Sequence, residues 1–157
     1  MKSKTLVSMS AAVIWLVAAS FVYAADPALG TWKLNVAKSK FTPGPAPKSA
    51  TVTYEAVGDS VKRTGDIIAA DGKKSSPAYT AKFDGKYYPA TGSDLYDEIS
   101  LKKIDDNNAK ATMRRGGKPA ANAKRSVSKD GKVMTITITG TNAKGEKVNI
   151  VSVYDKQ

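Results

Sequence analysis

The side chains able to do chemistry in this sequence are arginines, carboxylates, hydroxyls and phenols, because it contains no histidine and no cysteine. Without those two residue types a histidine-based triad, a thiolate nucleophile, a zinc finger, an iron–sulfur cluster and a disulfide scaffold are all excluded. A lipid anchor attached through cysteine is excluded for the same reason. Arg125 is the most informative group that remains. Ala121, Ala123, Arg125 and Val127 share one face of an alternating stretch, opposite Asn122, Lys124 and Ser126, and Arg115 extends the face of Ala111 and Met113 in the same way. A guanidinium that follows an inner face needs a partner, since an unpaired buried charge is very costly. Asp97, on the face of Leu95 and Ile99, is the internal candidate. A ligand carboxylate or phosphate is the functional one, because the arginine fork suits planar oxyanions. Escape of the side chain to the mouth of the fold is the third. Tyr54, Tyr79 and Phe83 are predicted to share the inner face of their strands, where they either contact a hydrophobic ligand or fill a solid core. Tyr54, Tyr79, Phe83, Asp97, Arg115 and Arg125 are therefore the candidate ligand-binding residues.

Catalysis and metal binding have little support. Asp94, Asp97 and Glu98 cluster, and Asp105-Asp106 reads as a turn, but neither spacing matches a calcium loop. There is no glycine-rich phosphate loop and no nucleophile elbow. Composition leaves a Ser–Lys or carboxylate-pair mechanism open; the reading is of a protein that is not an enzyme, with no cofactor and no metal.

The elements that position these residues begin after a leader. Lys2 and Lys4 precede an uncharged apolar run from Leu6 to Tyr23 that ends Val22-Tyr23-Ala24-Ala25-Asp26. A positive start, an apolar run and small residues at the cut are the pattern of a secretory signal peptide, expected to be cleaved after Ala24. An uncleaved membrane anchor is the alternative, the run being nearly long enough to span a bilayer. Residues 1–24 are thus read as leader and 25–157 as a single domain, in a periplasmic or extracellular location. Removing the leader lowers the net charge from +11 to +9 and leaves Leu, Ile, Val and Phe at 22 of 133 residues. That content falls in the range of disordered chains, so the pattern must decide.

The pattern is one of period two. Trp32, Leu34 and Val36 alternate with Lys33, Asn35 and Ala37; Ala50, Val52, Tyr54 and Ala56 alternate with Thr51, Thr53 and Glu55. Similar runs cover residues 79–83, 95–101, 134–139 and 148–154, rich in β-branched and aromatic residues as a half-buried pleated surface requires. Asp71-Gly72, Asp84-Gly85, Gly116-Gly117 and Asp130-Gly131 are tight-turn signals between them. Connections this short force antiparallel neighbours. Three prolines in Thr42-Pro43-Gly44-Pro45-Ala46-Pro47 make that stretch a surface loop. With no helices to cover one face, the meander must close on itself. The expected fold is all-β, an antiparallel up-and-down β-barrel of about eight to ten strands, a size able to hold one small ligand.

Gly30-Thr31-Trp32-Lys33-Leu34 resembles the Gly-x-Trp opening of the calycins, the superfamily of lipocalins and fatty-acid-binding proteins. Ser152-Val153-Tyr154-Asp155-Lys156 is similar to the Arg-Val-Tyr-Glu-Lys ending of the intracellular fatty-acid binders. The chain also resembles uncharacterised secreted bacterial proteins with the same Gly-Thr-Trp start and Pro-Gly-Pro loop. The resemblance implies a lipocalin-like barrel. It departs from the fatty-acid binders in two places: the proline loop stands where they carry a helical lid, and Ser152 stands where their arginine grips a carboxylate. Secreted lipocalins, with a long loop after the first strand, are the nearer analogy.

These readings suggest a secreted or periplasmic binding protein that holds a small hydrophobic or amphipathic molecule, anionic if an arginine serves it. The alternative is a non-enzymatic envelope interaction module. Eight cations and one acid lie between Asn107 and Lys132, a wall suited to anionic lipid or envelope polysaccharide; inhibition of a protease is another form of the same alternative. That window holds no aromatic residue for base stacking, so nucleic acid is not an expected partner. No transmembrane helix is expected once the leader is removed.

Overall fold

The computed structural model describes residues 26–157, so the leader and its cleavage site lie outside the described residues. Twelve strands follow: β1 (Gly30–Leu34), β2 (Lys40–Thr42), β3 (Ser49–Val57), β4 (Ser60–Ile68), β5 (Lys74–Ser75), β6 (Ala78–Ala81), β7 (Asp84–Thr91), β8 (Glu98–Lys103), β9 (Asn108–Arg115), β10 (Lys118–Val127), β11 (Val133–Thr141) and β12 (Lys147–Lys156). Every pairing is antiparallel, neighbours follow chain order, and β1 pairs with β12 to close the ring. β2 continues the line of β1 along β12, beyond a 3-10 turn at Val36–Lys38. β5 likewise continues the line of β6 along β4. The twelve strands therefore make ten staves of one up-and-down barrel, the all-β closed architecture that the alternation predicts. Closure removes the unpaired edges that an open meander would expose. No helix among the described residues is long and apolar enough to cross a membrane.

The turns act as the sequence suggests. Gly116 and Gly117 both take positive φ, 56° and 75°, between the paired Arg115 and Lys118. Two positive-φ residues make a two-residue hairpin whose twist matches its strands.

The meander puts the connections in two groups. At one end lie the proline loop 43–48, the segments 69–77 and 92–97, and the turns at 116–117 and 142–146; this is the mouth. At the other lie residues 26–29 and the turns at 58–59, 82–83, 104–107 and 128–132. The second end is packed shut. Trp32, Val52, Met134, Ala28 and Ala81 are fully buried there, and Val61 and Val127 nearly so. The Trp32 indole Nε1 donates to the Ala28 carbonyl at 2.7 Å, which fixes the turn 26–29 across the base as a plug. Lys156 Nζ lies 5.0 Å from the Trp32 ring centre and covers its outer side. Removing a plug of this size costs about 3–5 kcal/mol in general. The core therefore closes the base of the barrel, and the cavities lie above it, one reaching down to Phe83 and Arg125 and the other opening at the mouth.

Two assignments of face change. The segment 92–97 is a bend, and β8 begins only at Glu98, so the parity read through Leu95 to Leu101 slips within it. Tyr96 is buried and Asp97 exposed, the reverse of the expected order. Tyr87 and Tyr88 divide as expected of neighbours on a strand: Tyr87 stacks outside against the Arg114 guanidinium at 3.7 Å, and the Tyr88 hydroxyl donates to Asp84.

Candidate ligand-binding site

Three adjacent staves bring Tyr54, Arg63 and Tyr79 into one row across the inner wall. Tyr54 of β3 is directly opposite Arg63 of β4, and Arg63 is directly opposite Tyr79 of β6. Such cross-strand neighbours stand about 5 Å apart at Cβ. Phe83, at the turn after β6, and Arg125 of β10 complete a cavity of about 80 Å³ that also touches Tyr96 and Ile99. A second cavity of about 270 Å³ opens toward the mouth between Phe41, Pro45, Pro47, Ala50, Ile67 and Ile150. Arg63 and Ile138 line both, so they form the neck between an inner and an outer chamber.

Arg63 is the residue that sequence reasoning missed. Its guanidinium donates from Nη1 to the Pro77 carbonyl at 3.2 Å and lies against Gly65, two residues along the same face. A side chain at 65 would press on the guanidinium, since an added Cβ would sit 3.3 Å from Nη1 and 3.3 Å from the Pro77 ring. Among the described residues no carboxylate lies within ion-pair distance of Arg63. Burial opposes its charge, but the ring of tyrosine oxygens, Tyr54 first, holds its pKa above the ordinary guanidinium value. Burial raises the phenol of Tyr79 well above its usual range, and Tyr54 adds to the effect. Tyr96 and Tyr154 are raised by burial as well. The inner wall thus presents the phenols of Tyr79, Tyr96 and Tyr154, all raised by burial, beside a cation with no carboxylate partner among the described residues.

Arg125 is placed differently. It faces inward, as its alternation predicts, but its partner is Asp26 and not Asp97. Nη2 donates to both carboxylate oxygens of Asp26, at 3.0 and 2.9 Å, with both side chains about nine-tenths buried. The guanidinium also lies 5.2 Å from the Tyr54 ring centre and 5.9 Å from that of Phe83. Its Nε is buried without a hydrogen-bond partner. Asp26 belongs to no alternating run; it enters from the plug, where its carboxylate also accepts from the Ala28 amide at 2.9 Å.

The two remaining candidates leave the site. Asp97 is exposed and accepts a hydrogen bond from the Gly116 amide at 2.9 Å, so it caps the turn at the mouth. Arg115 is exposed at the rim, where it donates to the Ser93 and Asp94 carbonyls and ties down the bend 92–97. The structure therefore brings Tyr54, Tyr79, Phe83 and Arg125 around one cavity and excludes Asp97 and Arg115 from it. Among the described residues there is no group of three or more carboxylates placed to hold a metal ion.

No protein-family model matches this chain, and no curated protein matches it. A solved structure of zebrafish ileal bile acid-binding protein complexed with cholic acid is similar, with a TM-score of 0.49 and 14% sequence identity over 83% of this chain and 99% of that one.

Proposed function

We propose that this protein is a non-enzymatic carrier that holds a small amphipathic molecule inside its barrel and works outside the cytoplasm. The observation that supports this reading is the pair of chambers joined at Arg63, walled by aromatic and aliphatic side chains and opening under the proline loop. A barrel selected for solidity alone would fill that space with close-packed apolar groups, as Trp32, Val52 and Met134 fill the base. The inner chamber, about 80 Å³, is smaller than the roughly 150 Å³ void that accepts benzene. The outer one, about 270 Å³, is close to the lower limit of about 300 Å³ for small-molecule pockets. The ligand is accordingly small, with its bulk in the outer chamber. The export part of the proposal rests on the leader pattern at the start of the sequence.

The test is uptake of N-phenyl-1-naphthylamine, a neutral apolar fluorophore, together with native mass spectrometry of protein isolated without denaturation. Saturable fluorescence, blocked when the outer chamber is filled by Ala50→Trp, supports the proposal. An empty spectrum together with no saturable uptake overturns it.

A second reading, adhesion to a polyanion, has one observation of its own. Lys102, Lys110 and Lys124 are exposed and directly opposite one another on β8, β9 and β10, a ladder of like charge. Like charges so placed destabilise a sheet unless something neutralises them. Arg125 does not belong to this wall, since it points inward to Asp26.

A further inference from the structure

Two guanidiniums point into this barrel, and one carboxylate does. Arg125 is neutralised by Asp26 at 2.9 Å. The other carboxylates of the described residues stand in turns or on outward faces: Glu98 and Asp155, for example, precede or follow the inward Ile99 and Tyr154. Arg63 is left as an excess positive charge, with a single acceptor among the described residues, the Pro77 carbonyl at 3.2 Å. A guanidinium carries five donors in a planar fork, so most of its hydrogen-bonding capacity is directed at the chambers it separates. An interior charge with no partner is expensive. A planar oxyanion meets the charge and the geometry together.

Resting on the carrier reading, we propose that Arg63 is the receptor for the carboxylate head of an amphipathic monoanion. The head sits at the neck between the chambers and the apolar part lies in the outer chamber toward Phe41, Pro45 and Ile150. Three features give this orientation. The inner chamber is too small for a tail but has room for a head group and a few waters, at about 10–15 Å³ each on this measure. Tyr54 and Tyr79, opposite Arg63 on either side, place hydroxyls where they can donate to the second carboxylate oxygen. Gly65 leaves room for the guanidinium against the wall, since a Cβ there would stand 3.3 Å from Nη1 and 3.5 Å from Cζ. Arg125 is not the receptor, because its carboxylate is already supplied by Asp26. Ser152 is not either, although it occupies the place where the resemblance to fatty-acid binders implies an arginine.

The experiment compares decanoate, decanol and acetate on the full-length mature protein and on Arg63→Met, by displacement of N-phenyl-1-naphthylamine and by calorimetry. Wild-type protein is expected to bind decanoate about ten- to a hundredfold more tightly than decanol, the worth of a charge-assisted fork, and acetate not measurably at millimolar concentration. Arg63→Met is expected to abolish that preference and leave decanol binding within about threefold. If neither decanoate nor decanol binds, the carrier reading fails. If both bind and the preference survives in Arg63→Met, the carrier reading stands and the receptor assignment is overturned. Acetate binding as tightly as decanoate makes the site one for small anions and overturns the amphipathic class. A measurement on the unmutated protein guards against a folding defect in the variant. The chain has four arginines, so their Nε–H signals can be followed individually in 15N-labelled protein. Decanoate is expected to shift Arg63 and spare Arg114 and Arg115; saturation without a shift at Arg63 overturns the proposal.

Discussion

Replacing Arg125 with Met tests the ion pair at the base of the barrel. Met conserves most of the aliphatic stem that packs by Tyr54 and Phe83, so the main loss is the pair of hydrogen bonds to Asp26 at 3.0 and 2.9 Å. The substitution strands a carboxylate about 11% exposed. Breaking a buried pair by removing one partner typically costs about 3–5 kcal/mol. Asp26 retains its bond from the Ala28 amide, which places the expected loss near the lower end, about 3 kcal/mol. For a domain of this length each kcal/mol shifts the melting temperature by about 3–5 °C, so the drop is about 9–15 °C. Asp26→Asn alone keeps an acceptor for Ala28 and loses less. In the double variant no charge remains to be stranded, and the cycle should return a coupling of about 1.5–3 kcal/mol by urea denaturation. The plug also links the pair to Trp32, whose indole holds the Ala28 carbonyl at 2.7 Å, so indole fluorescence should report the same loosening. Additivity of the two single changes within about 0.5 kcal/mol would refute the reasoning. It would mean that the pair is hydrated and contributes nothing beyond its parts.

Gly140→Ala is expected to destabilise the fold by about 1–3 kcal/mol or more. Its new Cβ would overlap the Ala120 carbonyl oxygen at the bulge between Pro119 and Ala121, and thermal melting reads the effect. Alkaline pH should unfold the protein through its phenols. Burial raises Tyr79, Tyr96 and Tyr154, so the native state holds protons that the unfolded state releases, and stability is full below pH ~10 and falls above it. Absorbance at 295 nm should then rise in step with loss of structure; early titration of all the phenols in folded protein would contradict this. Changing Lys102 and Lys124 together to Gln should leave decanol binding unchanged and, if the ladder contacts polyanions, reduce the salt slope of heparin binding by about one unit per lysine. An unchanged slope removes the ladder from that role.

Where the inner residues are apolar, the strands could be read from the alternation alone. β3, β11 and β12 keep Ala50, Val52 and Tyr54, then Met134, Ile136 and Ile138, then Val148 and Ile150 on one face, and all are found inside. β4 could not be read that way. Its inner face runs Val61, Arg63, Gly65, Ile67, so a charge and a glycine stand where the alternation needs apolar groups. The two residues that build the receptor erase the signal that would locate their strand. A clue lay in the neighbouring pattern: the nine residues from Ser60 to Ile68, which follow the Gly58-Asp59 turn and end in the apolar pair Ile67-Ile68, leave room for a stave and for little else. The partner of Arg125 was hidden for another reason. Asp26 precedes the first strand and has no parity to read, whereas Asp97 appeared to have one because the bend 92–97 cannot be told from strand by composition. Arg115 obeys the parity of Ala111 and Met113, but it stands at the end of β9, where the side chain reaches two carbonyls over the rim.

The two inward arginines should respond to the same substitution with opposite signs. Arg125 is matched by a carboxylate, and its removal leaves that carboxylate uncompensated. Among the described residues Arg63 has no acid to strand, and its side chain makes one hydrogen bond, to Pro77. Met at position 63 would remove an unpaired cation from an aromatic wall and add apolar surface beside Ile138 and Tyr79. Replacing buried ionic groups by apolar ones of similar volume is often neutral or stabilising by about 1–4 kcal/mol. Water in the two chambers relieves part of the penalty, so the unliganded protein should gain about 0–2 kcal/mol in urea denaturation. Decanoate should stabilise the wild-type protein and not the variant, by an amount that grows with its concentration as linkage requires. A group that weakens the empty barrel and strengthens the filled one is kept for what it binds, a trade familiar at functional sites. A loss in Arg63→Met equal to that in Arg125→Met would reverse the conclusion. Arg63 would then be a structural cation held by its tyrosines, and the excess charge inside the barrel would need no ligand to account for it.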